Sequence, residues 1–553
     1  MANETVNDNN KKLKLYSGDQ DSFIPFTGGT LEDGFDDFHA ISRSEVAKLR
    51  YKSQNAGVIL IIAALFLSNM GAQSWIIMVV ISATFMQLCR AVDDKLLSLP
   101  GQPRVSFQQY AGYETVDENQ DRALFYYFVE AESDPASKPL VLWLNWGWPG
   151  CSSVGAGAFS ENGPFRPSGG ESLVRNDYSW NKEANMLYLE SPARVGFSYS
   201  ANQSFYNLVN DTITAQENFV FLQNWFLKFP EYKNRDLFIT GESYAGHYIP
   251  QLAYLIVKSG LKFNLKGIAL GNPLLEFGTD FNSEGDFYWS HGLISNPTYE
   301  LLSAVCNTSQ LWRERLGASL TASCLEVVDQ LNAEIPDAID KYDVTANVRL
   351  SSGESETLLG VHNLPLSPRF QSFSSGQSLQ DALKNTGLCA GDKTFQYLNR
   401  KDVQETLHAK LVGTPQWTLC SRVTHYDLRN LEIPTIDVVG SLVSSGIRVL
   451  VYRWISDSVI PFTRSRNLVE GLAKKLGLNA TVPYTAWFEG EQVGGWTQVY
   501  GDILTFTTIR RGSHMAPFSS PARSLALFAA FLSGKRRHKF LLIKLSNLAV
   551  VIL

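Results

Sequence analysis

The sequence predicts an α/β fold: a mainly parallel central sheet with helices on both faces and an inserted, mainly helical cap. Two observations carry this prediction. Short apolar runs suited to buried strands recur at 139–144, 186–190, 237–240, 267–270, 448–452 and 503–509, with helical patterns between several of them. Such alternation indicates parallel strands whose crossover helices cover both faces of the sheet. The second observation is a turn of small residues, Gly241-Glu242-Ser243-Tyr244-Ala245-Gly246, set between the 237–240 run and a helical run over 247–257.

Each element has its own local reason. Apolar residues at Ile249, Leu252, Ala253, Ile256 and Val257 follow helical spacing after the turn. Phe219, Leu222, Phe226 and Phe229 do the same before Pro230 ends that helix. Between about 280 and 400 the pattern is helical and then polar and irregular. That segment reads as a cap placed over the strand ends, where open α/β sheets bind their ligands.

Composition narrows the function classes. The chain has 553 residues, of which 44% are hydrophobic and 18% charged, below the roughly 25% charge of an average soluble domain, so composition does not suggest disorder. A net charge of −6 argues against a nucleic-acid partner. No metal or cofactor motif is present. Six cysteines (Cys89, Cys151, Cys306, Cys324, Cys389, Cys420) contain no C-x-x-C pair, which leaves disulfides or free thiols open.

Three regions separate along the chain: an N-terminal extension, 1–91; a globular body, 92–535; and a basic then apolar tail, 536–553. Residues 57–89 hold two uncharged apolar cores, 58–67 and 75–86, each too short to span a bilayer alone. The second has a signal-peptide pattern, with Cys89-Arg90-Ala91 as a cleavage site. Basic residues before the first core also fit an uncleaved anchor, but secretory entry is favoured over stable membrane insertion. Sequons at Asn202, Asn210, Asn307 and Asn479 are compatible with that route. In the extension, residues 16–27 match 452–463 at seven of twelve positions, a stray copy placed before the secretory segment.

The Ser243 turn has the strand–turn–helix order of a nucleophile elbow, with the Tyr244 N–H available to a developing oxyanion. A serine nucleophile needs a base, and the base a carboxylate to orient it. In an α/β-hydrolase these follow in the order serine, acid, histidine. Asp457 and His514 each stand just past a strand candidate, in that order.

These residues, with several ordered blocks around them, resemble the serine carboxypeptidases, especially their plant serine carboxypeptidase-like branch. The blocks are Leu142-Trp143-Leu144-Asn145 with Pro149-Gly150-Cys151-Ser152-Ser153, Glu161-Asn162-Gly163-Pro164, Trp180-Asn181-Lys182-Glu183-Ala184-Asn185, Gly196-Phe197-Ser198-Tyr199 and Gly271-Asn272-Pro273. The likeness spans roughly 93–535. It implies an α/β-hydrolase fold, an extracellular or vacuolar destination, and release of C-terminal amino acids from peptides at acidic pH. It also implies Ser243, Asp457 and His514 as the triad, Tyr244 and Gly147 as oxyanion donors, and Asn145, Glu161 and Glu242 as the group that holds the substrate carboxylate. Disulfides Cys151–Cys420 and Cys306–Cys324 are implied in the same way. Peptide or protein C-termini are the expected partners. The oligomeric state stays open, a homodimer included.

Departures from the family pattern fall in loops that form the site. Trp146-Gly147-Trp148 stands where the family has two glycines. Arg453-Trp454-Ile455 replaces a Ser-Gly-Asp, and Arg194 occupies a usual glycine position. Near Arg349 the partner expected for Cys389 is missing, which leaves that thiol free. Two other readings therefore stand beside a carboxypeptidase: an acyltransferase using the same acyl-enzyme, and a catalytically impaired homologue with a binding role.

Overall fold

The computed structural model describes residues 93–145, 150–169, 171–317, 319–336, 339–345, 389–421 and 425–534. The signal-like segment, the 16–27 copy, the Trp146-Gly147-Trp148 loop, Arg349 and the tail all lie outside them, as does the Cys389 side chain. No helix among the described residues is long and apolar enough to cross a membrane.

The chain opens with β1 (Lys95–Leu96), β2 (Gln109–Asp117) and β3 (Arg122–Val129), followed by β4 (Leu140–Leu144). A small antiparallel pair, β5 (Phe165–Ser168) and β6 (Ser172–Arg175), precedes β7 (Asn185–Leu189) and β8 (Tyr199–Ser200). Then come α1 (Asp211–Lys228), β9 (Leu237–Glu242), α2 (Ala245–Lys258) and β10 (Leu265–Gly271). Helices α3 (Phe277–Ser290), α4 (Asn296–Ala304), α5 (Thr308–Leu316) and α6 (Ala322–Glu334) follow, and after them α7 (Cys389–Leu398) and α8 (Lys401–Thr406). The body closes with α9 (Ile436–Ser444), β11 (Arg448–Trp454), α10 (Phe462–Lys475), β12 (Ala480–Glu489), β13 (Gln492–Tyr500), β14 (Leu504–Ile509), α11 (Ala516–Ser519) and α12 (Pro521–Ser533).

The main sheet runs in the order β1-β2-β3-β7-β4-β9-β10-β11-β14-β13-β12, with β8 paired to β3. From β7 to β14 every neighbouring pair is parallel, while both flanks are antiparallel. All six strand candidates lie in the parallel centre. The antiparallel flanks were not foreseen: β2, β12 and β13 mix exposed and buried positions, whereas β3 is buried along its whole length and still was not among the strand candidates.

Side-chain alternation divides the core between the two faces. Leu140, Leu142 and Leu144 of β4 join one apolar cluster with α1, α2, α9 and α10, whereas Val141 and Trp143 join another with α7, α8 and α12. This is the two-residue period of a strand read on both sides.

Within the 280–400 segment the helices divide. Residues of α3, α4, α5 and α6 share a separate small core, Phe287, Leu302, Leu311 and Val327 among them, stitched by Cys306–Cys324. Tyr397 and Leu398 of α7 instead pack on the main sheet. The insert is tied to the sheet by one fully buried ion pair: Arg453 of β11 donates to Asp280 of α3 at 3.2 Å and to the Pro273 and Ile460 carbonyls. Asp280 also receives the Leu275 and Glu276 N–H groups and Ser465 Oγ. Breaking such a pair from one side leaves an uncompensated buried charge. Asp280→Ala is expected to lower the unfolding free energy by about 3–5 kcal/mol in urea titrations.

Candidate active site

Because β9, β10, β11 and β14 are parallel neighbours, their C-terminal ends share one edge of the sheet, and the loops that leave them meet there. Ser243 follows β9 directly. Its backbone has φ 58°, a left-handed conformation that L-residues adopt only under constraint. The constraint is visible: Ser243 N–H donates to Gly271 O at 2.8 Å, and Ser243 O accepts from Gly246 N at 2.9 Å and Leu274 N at 3.1 Å. Two glycines make room for the turn. A Cβ on Gly241 would stand 1.9 Å from Leu144 O, and one on Gly246 would stand 2.5 Å from Leu274 O.

Tyr244 is the N-cap residue of α2. N–H groups at a helix start have no intrahelical acceptor, which is what an oxyanion donor requires. Its companion expected from the sequence, Gly147, lies outside the described residues.

Asp457 and His514 are both fully buried and joined, His514 Nδ1 lying 2.8 Å from Asp457 Oδ2. A carboxylate only accepts, so the proton sits on Nδ1 and Nε2 is the basic nitrogen. The same Asp457 oxygen accepts from Asn272 Nδ2, and Val459 N donates to the other at 2.8 Å. Asn272 is a site residue without a role in the sequence reading. Its Oδ1 accepts from Trp454 N at 2.9 Å, so one amide links the ends of β10 and β11 and aims the carboxylate. The only sequence signal was its place in the Gly271-Asn272-Pro273 block.

Glu242 ends β9 and Glu161 ends a buried π-helical turn, Ser153–Glu161, capped by Ser152 Oγ on Gly155 N at 2.7 Å. Their carboxyl groups act on each other directly, and neighbouring buried carboxylates oppose each other's ionisation. Burial pushes the Glu242 carboxyl well above the usual range, and the charges of Glu161 and Asp457 reinforce the shift. Asn145 follows β4 on the same sheet edge, with Oδ1 taken by Trp143 Nε1 at 3.2 Å and its N–H by Ser153 Oγ at 2.9 Å. Among the described residues its buried Nδ2 meets no acceptor.

The family departures have local explanations where they are described. Arg453 points into the ion pair with Asp280, and the Trp454 ring stands edge-on to His514, 6.2 Å between centroids. Arg194 keeps a glycine-like φ of 83° and lies over the Tyr206 ring. Of the sequons, Asn202, Asn307 and Asn479 are exposed and Asn210 is half-buried. Asn210 and Asn307 also cap α1 and α5 through Oδ1.

Beneath the elbow, Asp211 at the start of α1 gathers one face of α2. It accepts from Tyr244 OH at 3.1 Å and Gln251 Nε2 at 2.9 Å, pairs with His247 Nδ1 at 2.9 Å, and takes Tyr426 OH at 2.6 Å. Burial alone would raise this carboxyl, but His247, Tyr426 and Gln251 outweigh it and hold it below the usual range. The sequence reading used this stretch only as a sequon. Asp211→Asn places an N–H₂ against these donors and leaves buried groups unpaired. Denaturant titration is expected to show a loss of about 1–3 kcal/mol.

The serine carboxypeptidase family model matches residues 100–534. Serine carboxypeptidase-like 45 and 46 of Arabidopsis thaliana are each 57% identical over 445 residues, covering 80% of this chain and 92% of their own. The crystal structure of Kex1(delta)p, a prohormone-processing carboxypeptidase from Saccharomyces cerevisiae, superposes with a TM-score of 0.62 at 22% identity, covering 80% of this chain and 96% of that one. With its α/β-hydrolase sheet and both implied disulfides in place, this chain belongs to the serine carboxypeptidase family.

Proposed function

We propose that this protein is a serine-type carboxypeptidase that releases C-terminal amino acids from peptides at acidic pH through an acyl-enzyme on Ser243. The observation that carries the reading is the Glu161–Glu242 pair, two buried carboxyls that oppose each other's ionisation, of which Glu242 immediately precedes the elbow serine. A pair that holds a proton can donate to a substrate carboxylate, whereas an ionised pair repels it. The Asn145 Nδ2, which meets no acceptor among the described residues, supports the same role. These groups favour a substrate with a free terminal carboxylate over an ester.

In the proposed reaction Ser243 Oγ attacks the last peptide carbonyl while His514 Nε2 takes its proton and Asp457 stabilises the imidazolium. Tyr244 N–H binds the oxyanion. The intermediate collapses as His514 returns the proton to the leaving amine, freeing the terminal amino acid. Water, deprotonated by His514, then hydrolyses the ester on Ser243. Two disulfides and three exposed sequons support passage through an oxidising, secretory compartment.

A fluorophosphonate probe is expected to label Ser243 and to leave Ser243→Ala unlabelled, and mass spectrometry of peptides should show loss of single C-terminal residues. No labelling of the wild-type chain would overturn the reading in favour of an impaired homologue. As pH rises through the raised Glu242 value its proton is lost. The peptide KM should then climb by about tenfold per pH unit, with kcat less affected. Glu242→Gln, which keeps a donor without a titrating charge, should flatten that rise; a KM in the wild type that stays constant from about pH 4 to 8 would rule out the carboxylate role.

A further inference from the structure

The acid and base loops are joined to each other by a short stretch of the inserted region. Residues 341–345, at the end of the described part of that insert, contact both sides of Asp457 and His514 itself. Lys341 O accepts the Ser458 N–H at 3.0 Å and Ser458 Oγ at 2.7 Å. Val344 N–H donates to Ser456 O at 3.2 Å. Between these anchors Tyr342 O accepts the His514 N–H at 2.7 Å. Thus the residues before and after Asp457, and the backbone of His514, are all held by one strap.

The Tyr342 side chain continues the contact. Its ring meets the His514 imidazole edge to face, with centroids 5.0 Å apart and planes at 79°. It is 6% exposed and packs with the Cys151–Cys420 bridge, Val459 and Met515. Val459 supplies an N–H to Asp457, and Met515 follows His514. Trp454 also stands edge-on to the imidazole. The Tyr342 ring therefore packs directly against the His514 side of a buried hydrogen-bonded pair. Edge-to-face packing of this kind fixes ring orientation as well as excluding solvent.

We propose that the strap 341–345 is a positioning element of the Asp457–His514 pair, and that Tyr342 is its positioning residue, acting through its ring and its main-chain carbonyl. The proposal rests on the carboxypeptidase reading for its kinetic consequence, but its geometric content stands on the pair alone. Two turns that leave neighbouring strands have no covalent reason to keep a hydrogen-bond distance between their side chains. A third segment bonded to both supplies one, and small misplacements of a catalytic group are costly. The insert thus contributes a structural part to the site.

The test compares Tyr342→Ala and Tyr342→Phe with the wild type in the full chain. Tyr342→Ala should lower kcat and the rate of fluorophosphonate labelling by about tenfold or more per folded molecule, with KM changed less than about twofold. Tyr342→Phe, which keeps the ring, should retain both rates. The low-field proton resonance of the His514 Nδ1–H should exchange with water faster in Tyr342→Ala and remain protected in Tyr342→Phe. Unchanged labelling and proton protection in a folded Tyr342→Ala would overturn the proposal, and so would a KM rise at constant kcat. If Tyr342→Ala does not fold, loss of labelling and proton protection in a folded Tyr342→Phe would overturn it. If the wild-type chain itself is not labelled, the carboxypeptidase reading fails, and the proton-exchange comparison alone decides the strap.

Discussion

The left-handed backbone at Ser243 is the constraint on which the rest of the site depends. A side chain at φ 58° costs about 1–3 kcal/mol and persists only where its surroundings over-determine it. Here the turn is pinned by Gly271 O on one side and Leu274 N on the other, so the strain is carried by β10 and the segment after it. Those same residues lead into Asn272, which holds Asp457. The serine turn and the acid are therefore parts of one hydrogen-bonded unit, built across neighbouring strand ends.

Three sets of buried carboxyl groups lie around that unit, and their surroundings give each a different character. Asp457 accepts from an amide, a backbone N–H and an imidazole. Glu242 faces another carboxyl in an apolar setting and is held in the protonated direction. Asp211, under the elbow, has enough donors to offset its burial. The side-chain chemistry is nearly identical in all three; the count and type of neighbours set them apart.

The parallel centre of the sheet was legible because strands buried on both faces are mostly apolar, and 139–144, 237–240 and 448–452 are so apart from Thr240 and Arg448 at their ends. Flanking strands such as β12 were not, because a half-buried antiparallel strand mixes exposed and buried residues irregularly. Family-like blocks placed Asp457 and His514 beside known motifs, yet gave Asn272, Asp211 and Tyr342 no role. Each of these acts through partners at least thirty residues away, and no spacing in the chain marks such a contact. Arg453, which looks like damage beside the acid, is instead one half of a buried ion pair.

By itself the sequence determined the parallel strands of the sheet centre, the small-residue turn at Ser243 and the candidate acid and base, because those follow from local periodicity, turn chemistry and contiguous motifs. Only the tertiary structure decided which carboxyl is held toward its protonated form, which donors surround Asp457, and that a strap from the insert bonds the loops of Asp457 and His514. Burial and hydrogen-bond partnership arise when distant segments meet at one sheet edge, and neither is a property of any stretch of chain taken alone.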